Sequence, residues 1–177
     1  MPEGIELPEA EHGDNPLVIP VSVTISILAV LVAAVTLLGH RAHTEELLLQ
    51  AKASDQWSYY QAKNIRLHEM QVVVDQFGVL ANQDKEKTQA LGEKYKKEVE
   101  RYEKDKDDIS EKAKELENER DLVSHRADRF DGGEGLIEVG LVICSMTLLT
   151  KRRFYWFAGI LIGAGGVVFA ATAFLIH

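Results

Sequence analysis

The sequence predicts an all-α membrane protein: three transmembrane helices, with a long extramembrane helical hairpin, coiled-coil-like, between the first and second. Charge segregation is the first observation. Apart from Lys151, Arg152 and Arg153, the 20 Lys and Arg residues fall within residues 39–134, while residues 17–38 and 154–176 hold no charged side chain. Segregation on that scale indicates two solvents rather than one globule. Second, those apolar stretches run for 22 and 23 residues, and a helix needs about 20 to cross a hydrocarbon core. Third, from Tyr95 onward residues suited to a helix seam recur at alternating steps of four and three, the spacing of a coiled coil.

Residues 1–16 come first. They carry five acids, no Lys or Arg, and Pro2, Pro8 and Pro16. That is the reverse of a basic signal n-region, and the composition predicts a disordered acidic tail. Residues 17–38 follow as the first span, with Pro16 and Pro20 in or before its first turn, where a missing N–H costs little. At 1.5 Å per residue the span reaches about 33 Å. Ser22, Ser26, Ala29, Ala33 and Thr36 recur along it as one stripe of small residues. Such stripes let helix backbones approach in lipid, where burial of apolar surface supplies no drive.

Residues 39–134 contain no proline and few glycines, and consist mainly of strong helix formers. The heptad positions run Tyr95, Val99, Tyr102, Lys106, Ile109, Ala113, Leu116, Arg120, Val123, Ala127 and Phe130. Lys106 and Arg120 make that seam weak, so a second helix must supply apolar surface. The first half of the segment offers it, with Leu47, Leu48, Ala51, Trp57, Tyr60, Ile65, Val72, Val73 and Phe77 forming a broad apolar face. Gly78 and the run Ala81, Asn82, Gln83, Asp84 read as a helix end followed by an N-cap. Two legs of nearly equal length then carry the chain out and back.

Residues 135–150 form the second, shorter span. Asp131, Gly132, Gly133, Glu134 and Gly135 before it predict a break at the membrane surface. Residues 151–153 are a tight basic connector, and residues 154–177 the third span, whose Tyr155 and Trp156 suit the headgroup level. Gly159, Gly163 and Gly166 lie on one side of it and predict close helix packing, within one chain or between chains.

The run Ala53, Ser54, Asp55, Gln56, Trp57, Ser58, Tyr59, Tyr60, Gln61, Ala62, Lys63 resembles a family of small bacterial membrane proteins, domain of unknown function 4337. The likeness extends to the first span running into Gly39 and His40, the connector Thr150 to Arg153, and the aromatic start of the third span. It covers most of the chain, less the acidic tail and much of the heptad region. The resemblance implies a bacterial membrane protein of the same helical layout, and no activity, substrate or catalytic residue; the inner membrane is the expected location.

Candidate chemistry is sparse. His40 and His43 lie about one turn apart, with Glu46 a turn further on and His125 available from the other leg. That spacing suits a metal, but residues at a membrane exit account for it, and no metal or cofactor is expected. Glu138 is the one acid inside an expected span, where carboxylates are functional by default; in a first turn it equally favours the helix N-terminus. Trp57, Tyr59 and Tyr60 form either an aromatic recognition patch or packing between the legs. Cys144 stands alone and forms no intrachain disulfide. No nucleophile with its base, phosphate loop or dinucleotide fingerprint is present, and the net charge of −8 argues against nucleic acid. No enzyme is expected.

Orientation signals conflict. The connector favours a cytoplasmic turn and hence a periplasmic hairpin, while the acidic tail followed by Arg41 favours the reverse. A loop of this length escapes the charge rule, so the short connector weighs more. The expected function is that of a membrane-anchored structural or interaction protein. It would self-associate within the lipid bilayer and present its hairpin to a partner protein. A transport or channel component, with Glu138 and the glycine-rich third span lining a pathway, is the alternative.

Overall fold

The computed structural model describes residues 16–80 and 85–176, with side chains outside 78–89. It consists of α1 (Val18–Leu80), α2 (Lys85–Thr150), α3 (Arg153–Ala171) and a closing 3-10 turn, Thr172–Leu175. All three helices contain a stretch long and apolar enough to cross a membrane. The expected turn at residues 81–84 lies outside the described residues.

Helix continuity follows from composition. Between Val18 and Leu80 the only proline is Pro20, in the first turn, where its missing N–H deprives no carbonyl. No break occurs at residues 131–135, since α2 is helical through all five. Gly132 and Gly133 serve contact rather than termination. A methyl group at Gly132 would meet the Phe169 ring at 2.7 Å, and one at Gly133 would lie 2.6 Å from Ala170 Cβ and 2.9 Å from the Gly166 carbonyl oxygen.

Two compact units divide the chain: one comprises the chain up to Leu38 with Arg129–Leu175, the other Gly39–Asp128 with the last two residues. In the first unit the buried positions of α2 are Phe130, Gly133, Ile137, Gly140, Cys144 and Thr147, and those of α3 are Gly159, Gly163, Gly166 and Ala170. These two series face each other, glycine against backbone. Val21, Leu28 and Val35 are the buried residues of α1 here, with Leu28 reaching Gly163. The Trp156 indole donates to Thr24 Oγ1 at 3.1 Å, and Phe130 meets Phe174 edge-on at 5.6 Å between centroids.

The turn from α2 to α3 is two residues long. Lys151 has φ +56°, and its amide donates to the Thr147 carbonyl at 2.8 Å. That left-handed cap is the usual place for glycine, so a lysine here carries a conformational cost of roughly 1–2 kcal/mol.

In the second unit α1 and α2 run antiparallel. Gln50 pairs with Arg120, Trp57 with Glu117, Lys63 with Asp105, and Phe77 with Tyr95, so position falls on one helix as it rises on the other. The positions of α2 from Tyr95 to Ala127 that the heptad singled out are all buried or half-buried. On α1 the matching series includes Leu49, Ala53, Tyr60, Leu67, Val74 and Phe77. The broad apolar face expected of α1 is therefore two faces. Tyr60 and Phe77 belong to the packed one, whereas Leu47, Leu48, Ala51, Ile65 and Val72 are exposed.

Candidate functional site

Trp57, Tyr60 and Lys63 lie on successive turns of α1, a spacing that directs all three toward one neighbour. Trp57 Nε1 donates to Glu117 Oε1 at 2.9 Å, and its ring meets Tyr60 edge-on at 5.5 Å. Lys63 donates to Asp105 at 2.8 Å while its ammonium sits 4.7 Å from the Tyr102 ring centre and 5.5 Å from that of Tyr59. Lys106, a cation at a seam position, lies over Tyr60 at 5.9 Å. The hydrogen bond from Lys63 holds the Asp105 carboxyl below its ordinary range, and the bond to Asp105 raises the Lys63 ammonium above its own. An aromatic face thus takes Lys106, one of the two cations that weaken the heptad, while the other, Arg120, donates to Gln50 and Asp121. Of the three aromatic candidates, Trp57 and Tyr60 are half-buried between the helices and Tyr59 is exposed.

In the first unit Thr36 and Glu134 make a second polar contact between helices, beside that of Trp156 with Thr24. Thr36 Oγ1 lies 2.6 Å from Glu134 Oε1 and 2.9 Å from the Val32 carbonyl oxygen, so its single proton serves the two acceptors alternately. The glycines on either side of Glu134 predict a surface break. With α2 continuous Glu134 joins α1 to α2 beside Phe130 and Ile137. Its four-residue spacing from Glu138 was the available signal. Glu138, one turn on, is exposed and has no hydrogen bond or ion pair among the described residues.

The small-residue candidates separate by helix. Gly159, Gly163 and Gly166 are buried. A methyl group at Gly159 would lie 2.6 Å from the Gly140 carbonyl oxygen, and one at Gly166 would lie 2.7 Å from that of Gly133. Ser22, Ser26, Ala29 and Ala33 are exposed on α1. Ser26 donates to the Ser22 carbonyl at 2.9 Å, so its hydroxyl is satisfied inside its own helix.

His43 Nδ1 lies 3.3 Å from Glu46 Oε2 and His125 Nδ1 lies 4.0 Å from Asp128 Oδ2, each a contact along one helix. Among the described residues no group of three or more His, Cys, Asp or Glu is gathered to hold a metal ion.

A family model described as domain of unknown function (DUF4337) matches residues 17–176. The chain belongs to that family. No curated protein and no solved structure matches it. The match covers all three helices, so the contacts of both units lie within the family domain. The segment that carried the resemblance, from Ala53 to Lys63, is also the one whose Trp57, Tyr60 and Lys63 join α1 to α2.

Proposed function

We propose that this member of the DUF4337 family is a membrane-anchored structural or interaction protein. In this reading residues 17–38, 135–150 and 154–176 cross the bacterial inner membrane. The paired parts of α1 and α2 stand outside it as a helical hairpin, presented to partner proteins and to other copies of the chain. The observation that carries the reading is one boundary found twice. The chain changes from apolar to charged near Leu38 and back near Glu134, and its contacts divide between two units at Leu38 and, a little over one helical turn before Glu134, at Arg129. Polar side chains at the helix contacts support it further, since Lys63, Asp105, Trp57, Glu117, Thr36 and Glu134 all join helix to helix.

Reporter fusions after Gly13, at Gln83 and at the carboxyl end test the layout. Three crossings set the first on one face and the other two on the opposite face, with the hairpin periplasmic. Gln83 and the carboxyl end on different faces would remove the second crossing. Co-purification in mild detergent then identifies the partner.

Exposure of Glu138 favours a second reading, a transport component with that carboxyl on a pathway. Gly159, Gly163 and Gly166 of α3 give it no support, because atoms of α2 and Leu28 fill the space beside them. Glu138→Gln separates the two: a scaffold keeps its assembly, whereas a pathway changes its flux.

A further inference from the structure

Within the second unit the two helices differ in what they turn outward. On α2 the exposed side opposite the seam carries Lys97, Arg101, Lys104, Asp108, Glu111 and Glu115, the solvated face expected of a helix in water. On α1 the corresponding side carries Leu48, Ala51, Ser58, Ala62, Ile65 and Val72, all exposed. Asp55 and Glu69 complete the same series, which advances by alternating steps of three and four throughout. Leu48, Ile65 and Val72 are 58%, 60% and 54% exposed. Single exposed apolar residues are unremarkable, but apolar residues repeating at heptad spacing along one exposed helix face mark an interaction surface.

We infer that this outer face of α1 docks against the same face of a second copy, parallel and in register. The inference rests on the proposed membrane anchorage, because copies inserted in one membrane share an orientation and only parallel pairing is open to them. Charge selects the occupant. Asp55 and Glu69 interrupt the seam, and each is preceded three residues earlier by a cation at the seam's edge, Lys52 and Arg66. None of the four has an ion partner among the described residues. In a parallel pair the edge of one helix faces the seam of the other, so Lys52 meets the partner's acid at the level of residue 55 and Arg66 the one at 69. A two-fold interface must be complementary to itself, and this face carries both signs at one repeat.

Cysteine scanning of the full chain in native membranes tests it, in a Cys144→Ala background with two differently tagged copies co-expressed. Ala51→Cys, Ser58→Cys and Ala62→Cys should form disulfide-linked pairs of tagged copies several-fold more readily than Lys104→Cys and Glu111→Cys. Equal yields on the two helix faces, no pairing at all, or seam cysteines linking only to a different polypeptide would each overturn the inference. A Gln50→Cys, Arg120→Cys double variant in the same preparation should close within one chain. If it closes and the protein stays in the membrane while the seam scan is flat, self-docking alone fails. If it does not close, the hairpin of the proposed function fails and takes this inference with it.

Discussion

Gly140→Ala measures how closely α2 and α3 are held. A methyl group there would fall 2.7 Å from the Gly159 carbonyl oxygen, 2.8 Å from the Gly163 amide nitrogen and 2.9 Å from Gly163 Cα. All three are backbone atoms, so no rotamer change relieves the overlap. Ordinary contact begins at 3.4 Å, and the helices must part by a substantial fraction of an ångström to reach it. A gap of about 0.5–1 Å forfeits a quarter to a half of each dispersion contact, and overpacking of this kind costs about 1–3 kcal/mol. Replacing glycine by alanine within a helix returns about 0.5–1 kcal/mol, and from the middle of the overpacking range that leaves a net loss of about 1 kcal/mol. Gly135→Ala is the matched control: nothing lies within 4 Å of its added methyl, so it keeps only the gain. Denaturation of the purified protein in mild detergent, followed by Trp156 fluorescence in a Trp57→Phe background, compares the two. They should shift in opposite directions. Equal midpoints would refute the close approach.

Trp57→Phe keeps the ring against Tyr60 but removes the donor to Glu117, and should cost the second unit about 1 kcal/mol by helix melting. The Lys63–Asp105 pair should contribute evenly across neutral pH, as judged by comparing Lys63→Met with the wild type at each pH. The lowered Asp105 carboxyl gives stability that is full above its ordinary value of 3.8 and lost only as pH falls through the depressed one. The raised Lys63 ammonium gives stability that is full below 10.5 and lost only as pH rises through the elevated value. A Lys63→Met effect that varied through the neutral range would count against the pair. Lys151→Gly removes the left-handed strain at the α2–α3 turn and should stabilise the first unit by about 1 kcal/mol, whereas Lys151→Val should destabilise it.

Helix positions and the α2 seam were legible in the sequence because they rest on composition and a simple period. Tyr95, Ile109, Ala113 and Val123 stand out from their charged neighbours, so the face they mark is unambiguous. On α1 the same period is hidden. Apolar residues occupy both the packed series of Leu49, Leu67 and Val74 and the exposed series of Leu48, Ile65 and Val72, and hydrophobicity cannot rank one above the other. Only the positions of the partners on α2 decide between them. The cations in the seam mislead for a related reason. Lys106 weakens a heptad read from one helix alone, and the Tyr60 ring that receives it lies 46 positions earlier in the chain.

Small residues show the same dependence on a partner. Along α1, Ser22, Ser26, Ala29 and Ala33 satisfy every sequence criterion for close packing, yet Val21, Leu28 and Val35 are the buried set. Close approach is instead made by α2, through glycines that look like a helix break when read beside Asp131 and Glu134. A glycine weakens a helix through entropy and lost side-chain contact, so two in succession suggest termination. That argument weighs the helix alone. Once the α3 backbone lies against Gly133 and Gly140, the missing side chain admits contacts that no other residue permits. The buried series on α2 accordingly does not end at Phe130. It takes one step of three to Gly133, then continues through Ile137, Gly140, Cys144 and Thr147 with its period intact. What the sequence presented as a break in the helix is a change of register within it.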